Sequence, residues 1–398
     1  MAKTFSFKDL NKEMSKFSTY GETMDKSSIS EIDHYISSGN FNLNACLTGS
    51  FWGGYPNNRA VALAGPSGTG KTFLLLNAIR ESQRDGYDII FYDSENAVDL
   101  SLIEKFGIDP TRFRYEPCNT VQEFRSSVTA ITDILIEQKK KGIELPKILI
   151  ALDSAGNLAT QKEIDDAKSG SSKADMTRAK LLKSTFRILM TKFGICKIPF
   201  IFTNHTYMTQ DLFSRQIGGG GTGPEYAASI ILFLAKAKLK DGTEQTGIIV
   251  TAKPNKNRFA KPTNIKFHIS FSKGMNPYIG LEEYISWDAC GIGRGKFITA
   301  AALDKLSESD KENCRPMLID AGTDKEKIVF FQPSDKARKI CVEHLKEAVS
   351  LNRLYTSEVI TEDVLKKLEP IVNKKFRYGV DELEIGTLEE ILQDEKDN

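Results

Sequence analysis

The sequence has 398 residues, more than one compact domain of ordinary size, which suggests a large α/β core with smaller flanking pieces. Its 54 lysines and arginines nearly balance 53 aspartates and glutamates, so net charge does not argue for a polyanionic partner, and any nucleic-acid binding must come from a local basic surface. Six scattered cysteines without a C-x-x-C pair, and four histidines at no zinc-ligand spacing from them, speak against a zinc module and read as buried reduced thiols. The start at Met1 is polar and no apolar run approaches ~18 residues, so we expect neither a signal peptide nor a membrane span, and a cytoplasmic location.

Residues 1 to about 47 are polar and helix-permissive, and read as an N-terminal arm or subdomain. The pattern changes near residue 58. A short apolar run, 59–65, ends in glycine and reads as a buried strand, followed by a glycine-rich turn and a helix at about 71–84. Strand 88–93, helix 98–106, strand 112–116, helix 120–141, strand 147–153, helix 174–194 and strand 198–203 follow in alternation. Apolar strands alternating with helices predict a mostly parallel sheet covered on both faces. Segments 227–237, 246–253 and 264–271 are β-rich and joined by turn signals, and should extend that sheet with antiparallel strands. Beyond about 290 the chain reads as mixed and helical, and it closes on a strongly acidic tail. The expected organisation is 1–47, a core over 48–290, and a C-terminal region over 291–398.

The most specific local signal is Gly65, Pro66, Ser67, Gly68, Thr69, Gly70, Lys71 and Thr72, which fit G-x-x-x-x-G-K-[ST] throughout. The run follows a predicted strand and opens a predicted helix, which Phe73 continues. The glycines let backbone N–H groups curl around phosphates, and the helix N-terminus adds its positive dipole end. Lys71 is placed to reach the β- and γ-phosphates of ATP, and the Thr72 hydroxyl to ligate Mg²⁺. Asp153 ends the apolar strand 147–152, where a carboxylate holds Mg²⁺ through water. Glu95 follows the end of strand 88–93. In a parallel sheet that end faces the ligand crevice, so Glu95 is a candidate to orient or deprotonate the attacking water.

Several further motifs follow in order: 91–99, Asp153 to Asn157, Asp175 to Lys180, Thr203 to Thr206, and Gly218 to Pro224. With the P-loop they resemble the RecA-like homologous recombinases, most closely those of T4-type bacteriophages, over about residues 45–290. The resemblance implies a RecA-like P-loop ATPase core, with ATP and Mg²⁺ as cofactors. It implies a DNA-dependent ATPase that forms a homo-oligomeric helical filament on single-stranded DNA and pairs it with double-stranded DNA. It further implies recombination-mediator and single-strand-binding proteins as partners and, for a phage-encoded chain, the host cytoplasm as location. A ring-forming replicative helicase sharing the same core is the alternative.

The resemblance also sharpens residue roles. Glu95 matches the catalytic glutamate, and Asp99 the carboxylate that recognises the adenine amino group. Bacterial members carry an aromatic residue three positions later; here it is Leu102. Their asparagine–glutamine pair at a later strand end is Asn204 and His205 here, as in the phage type. Lys256 and Arg258 match two basic residues that reach the ATP of a neighbouring protomer. Stretches 160–173 and 206–223 match the family's two DNA-binding loops, with Arg215, Gly219 and Gly220 as candidate contacts in the second. Lys180, Lys183 and Arg187 lie at i, i+3 and i+7, which puts them on one helix face as candidate phosphate contacts, with Arg178 beside them. His205 stands where strand 198–203 leaves the crevice and the second loop begins, which makes it the candidate link between nucleotide and DNA. The N-terminal arm is the candidate donor of the contact between protomers.

Overall fold

The computed structural model describes residues 5–18, 20–27, 29–169, 177–208, 216–218, 227–320 and 326–378. The chain opens with helix α1 (Phe7–Met14), then β1 (Tyr35–Ile36), α2 (Phe41–Thr48) and β2 (Tyr55–Pro56). The alternating section follows: β3 (Ala60–Gly65), α3 (Lys71–Arg84), β4 (Asp88–Asp93), α4 (Leu100–Lys105), β5 (Phe113–Pro117), α5 (Val121–Lys140), β6 (Ile148–Asp153), α6 (Gln161–Lys168), α7 (Arg178–Cys196) and β7 (Phe200–Met208). Then come β8 (Gln216–Gly218), β9 (Ile230–Asp241), β10 (Glu244–Asn257), β11 (Ile265–Ser270) and β12 (Gly274–Met275).

Among the described residues these strands build one sheet in the order β12-β11-β10-β9-β3-β7-β6-β4-β5, with β8 pairing onto β7. From β9 to β5 every neighbouring pair is parallel, and β10, β11 and β12 add on antiparallel. Successive strand residues point to opposite faces. Val61 and Leu63 therefore enter one buried cluster with α3, while Ala60 and Ala62 enter a second with α5 and α7. Burial on both faces is why these strands read as unbroken apolar runs. The mostly parallel α/β sheet with an antiparallel extension is thus as the sequence indicated.

The flanks differ from the expected pattern. The first cluster takes in residues on both sides of the expected divisions at 47 and 290: Leu43 and Leu47 of α2, and Leu365, Leu368 and Phe376 of the last helix, α9 (Glu362–Phe376, with α8 at Trp287–Cys290). Glu369 of that helix accepts from the Ser50 hydroxyl at 2.5 Å and the Phe51 amide at 3.0 Å, which ties the two ends of the chain together. The region beyond 290, expected as mixed and helical, holds α9 and three short helices among its described residues. It forms a five-stranded antiparallel sheet, ordered β14 (Arg315–Asp320), β15 (Glu326–Pro333), β13 (Ile292–Thr299), β16 (Lys339–Val342), β17 (Glu347–Ser350). The stretch from 160, expected as irregular loop, begins as helix α6. Thr160 and Glu163 close a reciprocal capping box at its start, satisfying amides that a loop would leave to solvent.

Candidate nucleotide site and DNA-facing surface

Strand register gathers the candidate residues at the C-terminal edge of the parallel strands. Gly65 at the end of β3 pairs with His205 of β7, and Asp93 at the end of β4 pairs with Asp153 of β6. The loop after β3 turns back through Gly68 and Gly70, whose φ values of +71° and +91° suit glycine alone among common residues. Gly70 caps α3, so the free N–H groups of that helix's first turn open into the crevice. Lys71 Nζ donates to the carbonyls of Gly65 at 2.9 Å and Pro66 at 3.0 Å, inside the curl of its own loop. Burial holds its ammonium below the ordinary lysine range, and the carboxylates of Asp153 and Glu95 work against that shift.

Thr72 Oγ1 donates to Asp153 Oδ2 at 2.6 Å, and Thr203 donates to the other oxygen of the same carboxylate. Burial pushes the Asp153 carboxyl up, partly offset by these two hydroxyls. A hydroxyl and a carboxylate brought together at the mouth of a phosphate loop are the hard oxygen donors that Mg²⁺ requires.

Glu95 is held from three sides. Asp93, buried at the strand end, accepts the Glu95 amide at 2.8 Å and the Ala97 amide at 3.1 Å, which folds the chain into a tight turn just past β4. Ser154 Oγ donates to Glu95 Oε1 at 2.6 Å, and His205 Nε2 lies 2.8 Å from the same oxygen. Ser94 and Ser154 are cross-linked in turn: the Ser94 hydroxyl donates to the Ser154 carbonyl at 2.8 Å and accepts the Ser154 amide at 2.9 Å. The carboxylate is therefore anchored through Oε1.

Beside the loop, Asp99 caps α4 by accepting the Leu102 amide at 2.8 Å. Phe73, Leu102 and Phe106 line a cavity of about 610 Å³ with the turn between β11 and β12, and Phe73 meets Phe106 edge to face. Leu102 thus contributes an apolar wall of this cavity.

Lys256 and Arg258 lie elsewhere. β10 pairs with β9 so that Lys256 stands opposite Ile231 and Asn257 opposite Ile230, level with the start of β3. Arg258 lines a cavity there with Arg59, Tyr20 and Ser229. Along the strands Lys256 is level with Ala62, three residues or roughly 10 Å short of Gly65, and Arg258 lies further back; β10 is also two strands, roughly 10 Å, away from β3.

On α7, Leu182, Phe186, Leu189 and Phe193 are buried against α5 and the sheet, while Lys180, Lys183 and Arg187 are exposed together on the opposite face. Arg178 begins the helix and is half-buried. Arg215, Gly219 and Gly220 lie outside the described residues.

Residues 3–276 match the RecA N-terminal domain family. The chain belongs to the RecA family. Membership fits the P-loop at the end of β3. Among RecA-family relatives, the chain is 35% identical over 242 residues to the "Recombination and repair protein" of Enterobacteria phage T4, covering 60% of each sequence. It is 26% identical over 229 residues to the "Protein RecA" of Malacoplasma penetrans, covering 56% of this chain and 66% of that one. With the "Protein RecA" of Prochlorococcus marinus (strain NATL1A) it shares 28% over 291 residues, 69% of this chain and 73% of that one. The alignment thus spans about 60% of the phage relative's length. The RecA-family match ends at 276, so the β13–β17 sheet lies beyond it. Among the described residues, no helix is long and apolar enough to cross a membrane.

Four residues of the site were not singled out from sequence: Asp93, Ser154, Thr203 and Lys236, the last donating from β9 to the Ser67 carbonyl at 3.2 Å. Asp93 had a readable signal, a carboxylate at a strand end two residues before Glu95. Ser154 and Thr203 stand inside motifs already recognised. Lys236 had none, since only the pairing of β9 with β3 brings it near.

Proposed function

We propose that this chain is a DNA-dependent ATPase and homologous recombinase that assembles as a helical filament on single-stranded DNA and exchanges strands with a duplex. One observation carries the reading: the nucleotide-binding residues gather at the C-terminal edge of the parallel strands, and Lys256 and Arg258 lie back toward the opposite edge, two strands away from β3. Copies stacked head to tail would bring the two edges together, each completing its neighbour's site, as an open helical assembly requires. Helix α1 supports the same arrangement. Phe7, Leu10 and Met14 lie along one of its faces and are exposed, and the helix buries none of its residues on its own chain. A neighbouring copy is the natural cover for that face.

In this mechanism the amides of residues 67–72 and the Lys71 ammonium hold the β- and γ-phosphates of ATP. Mg²⁺, held by Thr72 Oγ1 and through water by Asp153, would neutralise charge on the phosphate oxygens. The Glu95 carboxylate orients a water for in-line attack on the γ-phosphorus. The oxygen–phosphorus bond forms as the bond to the β,γ-bridging oxygen breaks, giving ADP and phosphate, and the water's proton passes to Glu95 or to the phosphate. Lys256 and Arg258 of the next copy offset the charge that develops. The cavity beside Phe73 and Leu102 would take the base, with Asp99 at its rim.

The exposed face of Lys180, Lys183 and Arg187 is the proposed phosphate track. Each changed singly to Ala should weaken single-stranded DNA binding for all sequences alike and lower the salt-dependence slope by roughly 0.7. A titration against salt checks this; three unchanged slopes would return the face to plain solvation.

His205 joins the two activities. Its ring touches Glu95, and its strand runs on to residue 208, into the second stretch expected over 206–223. Exchange of the Glu95 contact for the γ-phosphate would shift the loop toward its DNA-gripping state. His205→Ala should keep ATP affinity within several-fold, yet lose the gain in DNA affinity that a non-hydrolysable ATP analogue gives over ADP. If that gain survives, the coupling runs elsewhere.

The deciding experiment for the whole reading is strand exchange with and without ATP, together with electron microscopy of the DNA complex. Exchange that depends on ATP, on extended filaments, is the expected result. Closed rings that unwind a duplex would establish the helicase instead.

A further inference from the structure

A second lysine approaches the P-loop from the side opposite Lys71. β9 runs parallel to β3 with Phe233 beside Ala64, but β3 stops at Gly65 while β9 continues to Asp241. The residues of β9 beyond this point pass alongside the loop. The Leu234 carbonyl lies 2.7 Å from where a Cβ on Gly65 would stand. Two residues on, Lys236 Nζ donates to the Ser67 carbonyl at 3.2 Å and occupies the space, 2.5 Å away, that a Cβ on Gly68 would need. Lys71 Nζ donates to the preceding carbonyl, Pro66, at 3.0 Å.

Two ammonium groups thus converge on consecutive carbonyls of one glycine turn. Their hydrogen bonds go to backbone oxygens rather than to carboxylates. They also feel each other: Lys236 is among the groups that hold the Lys71 ammonium below its ordinary range. Like charges drawn to one loop repel, and that repulsion turns to advantage when an anion lies between them. A long, exposed side chain such as Lys236 can swing from a carbonyl to a phosphate oxygen at small cost.

We infer that Lys236 is a second phosphate-binding cation, supplied by the same chain as Lys71, that contacts the terminal phosphate and so separates nucleoside triphosphate from diphosphate. The inference rests on the nucleotide-site reading above and extends it by one residue. It differs from the proposed role of Lys256 and Arg258 in needing no neighbour. Lys238 is exposed on the same face of β9, one rung further out, and provides a control of equal charge.

The test is equilibrium binding of a non-hydrolysable ATP analogue and of ADP, at protein concentrations low enough to keep copies apart. Wild type, Lys236→Ala, Lys236→Arg and Lys238→Ala are compared, with thermal melts to verify folding. Lys236→Ala should lose about tenfold in affinity for the analogue, the effect of one charge-assisted hydrogen bond, and about twofold or less for ADP. Lys236→Arg should keep most of the preference, and Lys238→Ala all of it. Equal losses for both nucleotides would make Lys236 a strap on the loop and overturn the inference, as would no loss at all. Lys71→Ala measured alongside separates the two readings. If it binds both nucleotides like wild type, the nucleotide site itself is wrong; if it fails to bind while Lys236→Ala keeps the wild-type ratio, only the role of Lys236 falls.

Discussion

Glu95→Gln should bind ATP about as well as wild type and hydrolyse it ~10²-fold or more slowly. The amide keeps the size of the carboxylate and can still accept from Ser154 Oγ and meet His205 Nε2, so the turn fixed by Asp93 should hold. What it loses is the carboxylate charge, and with it the ability to draw a proton from water. If release follows hydrolysis, as the proposed function requires, complexes of this variant with DNA should also be longer-lived. Single-turnover hydrolysis and DNA dissociation, read in parallel, check both parts. A variant that loses nucleotide affinity as badly as a P-loop mutant would show that Glu95 shapes the site rather than acting in it.

Lys71→Ala should abolish hydrolysis and ATP-dependent DNA binding together while the fold survives. The side chain is almost fully buried, and its ammonium donates to the Gly65 and Pro66 carbonyls. Removing it takes out a desolvated charge, which costs the fold little, and leaves the triphosphate without its nearest cation. Circular dichroism and a thermal melt should resemble wild type, and nucleotide titration should show little binding. Near-normal turnover would end the P-loop assignment.

The sequence was most legible where two faces of a strand are buried at once. Val61 and Leu63 on one side and Ala60 and Ala62 on the other leave no polar position in β3, so run and strand coincide. β4 and β6 are likewise buried runs apart from their first residue, and the carboxylates at or just past their ends, Asp153 and Glu95, were found for that reason. β16 is only four residues long and begins at an exposed lysine; so short a run carries no period that separates it from a loop. Helix α6 is mostly polar, with Ile164 its one large apolar residue, and buries nothing, so hydrophobic pattern could not find it, although the Thr160–Glu163 capping box was there to be read. The contact of Glu95 with His205 joins residues 110 apart, and no spacing rule reaches that far. It follows only from the register that puts β7 beside β3 and β6 beside β4.

Placement of Lys256 and Arg258 back from Gly65, toward the opposite edge of the parallel strands, carries a last consequence on the proposed reading. A line of n copies contains n − 1 complete junctions. One terminal copy always offers cations to nothing, and the other always holds a nucleotide that no neighbour attends. The two tips of such a polymer are therefore chemically unlike. A copy with an unattended nucleotide stays loaded at its tip, while the tip that ends in idle cations has a spent junction just behind it. Loss of subunits should then run from one tip by preference, and turnover per copy should climb with length toward a plateau, steeply for short lines and hardly at all for long ones.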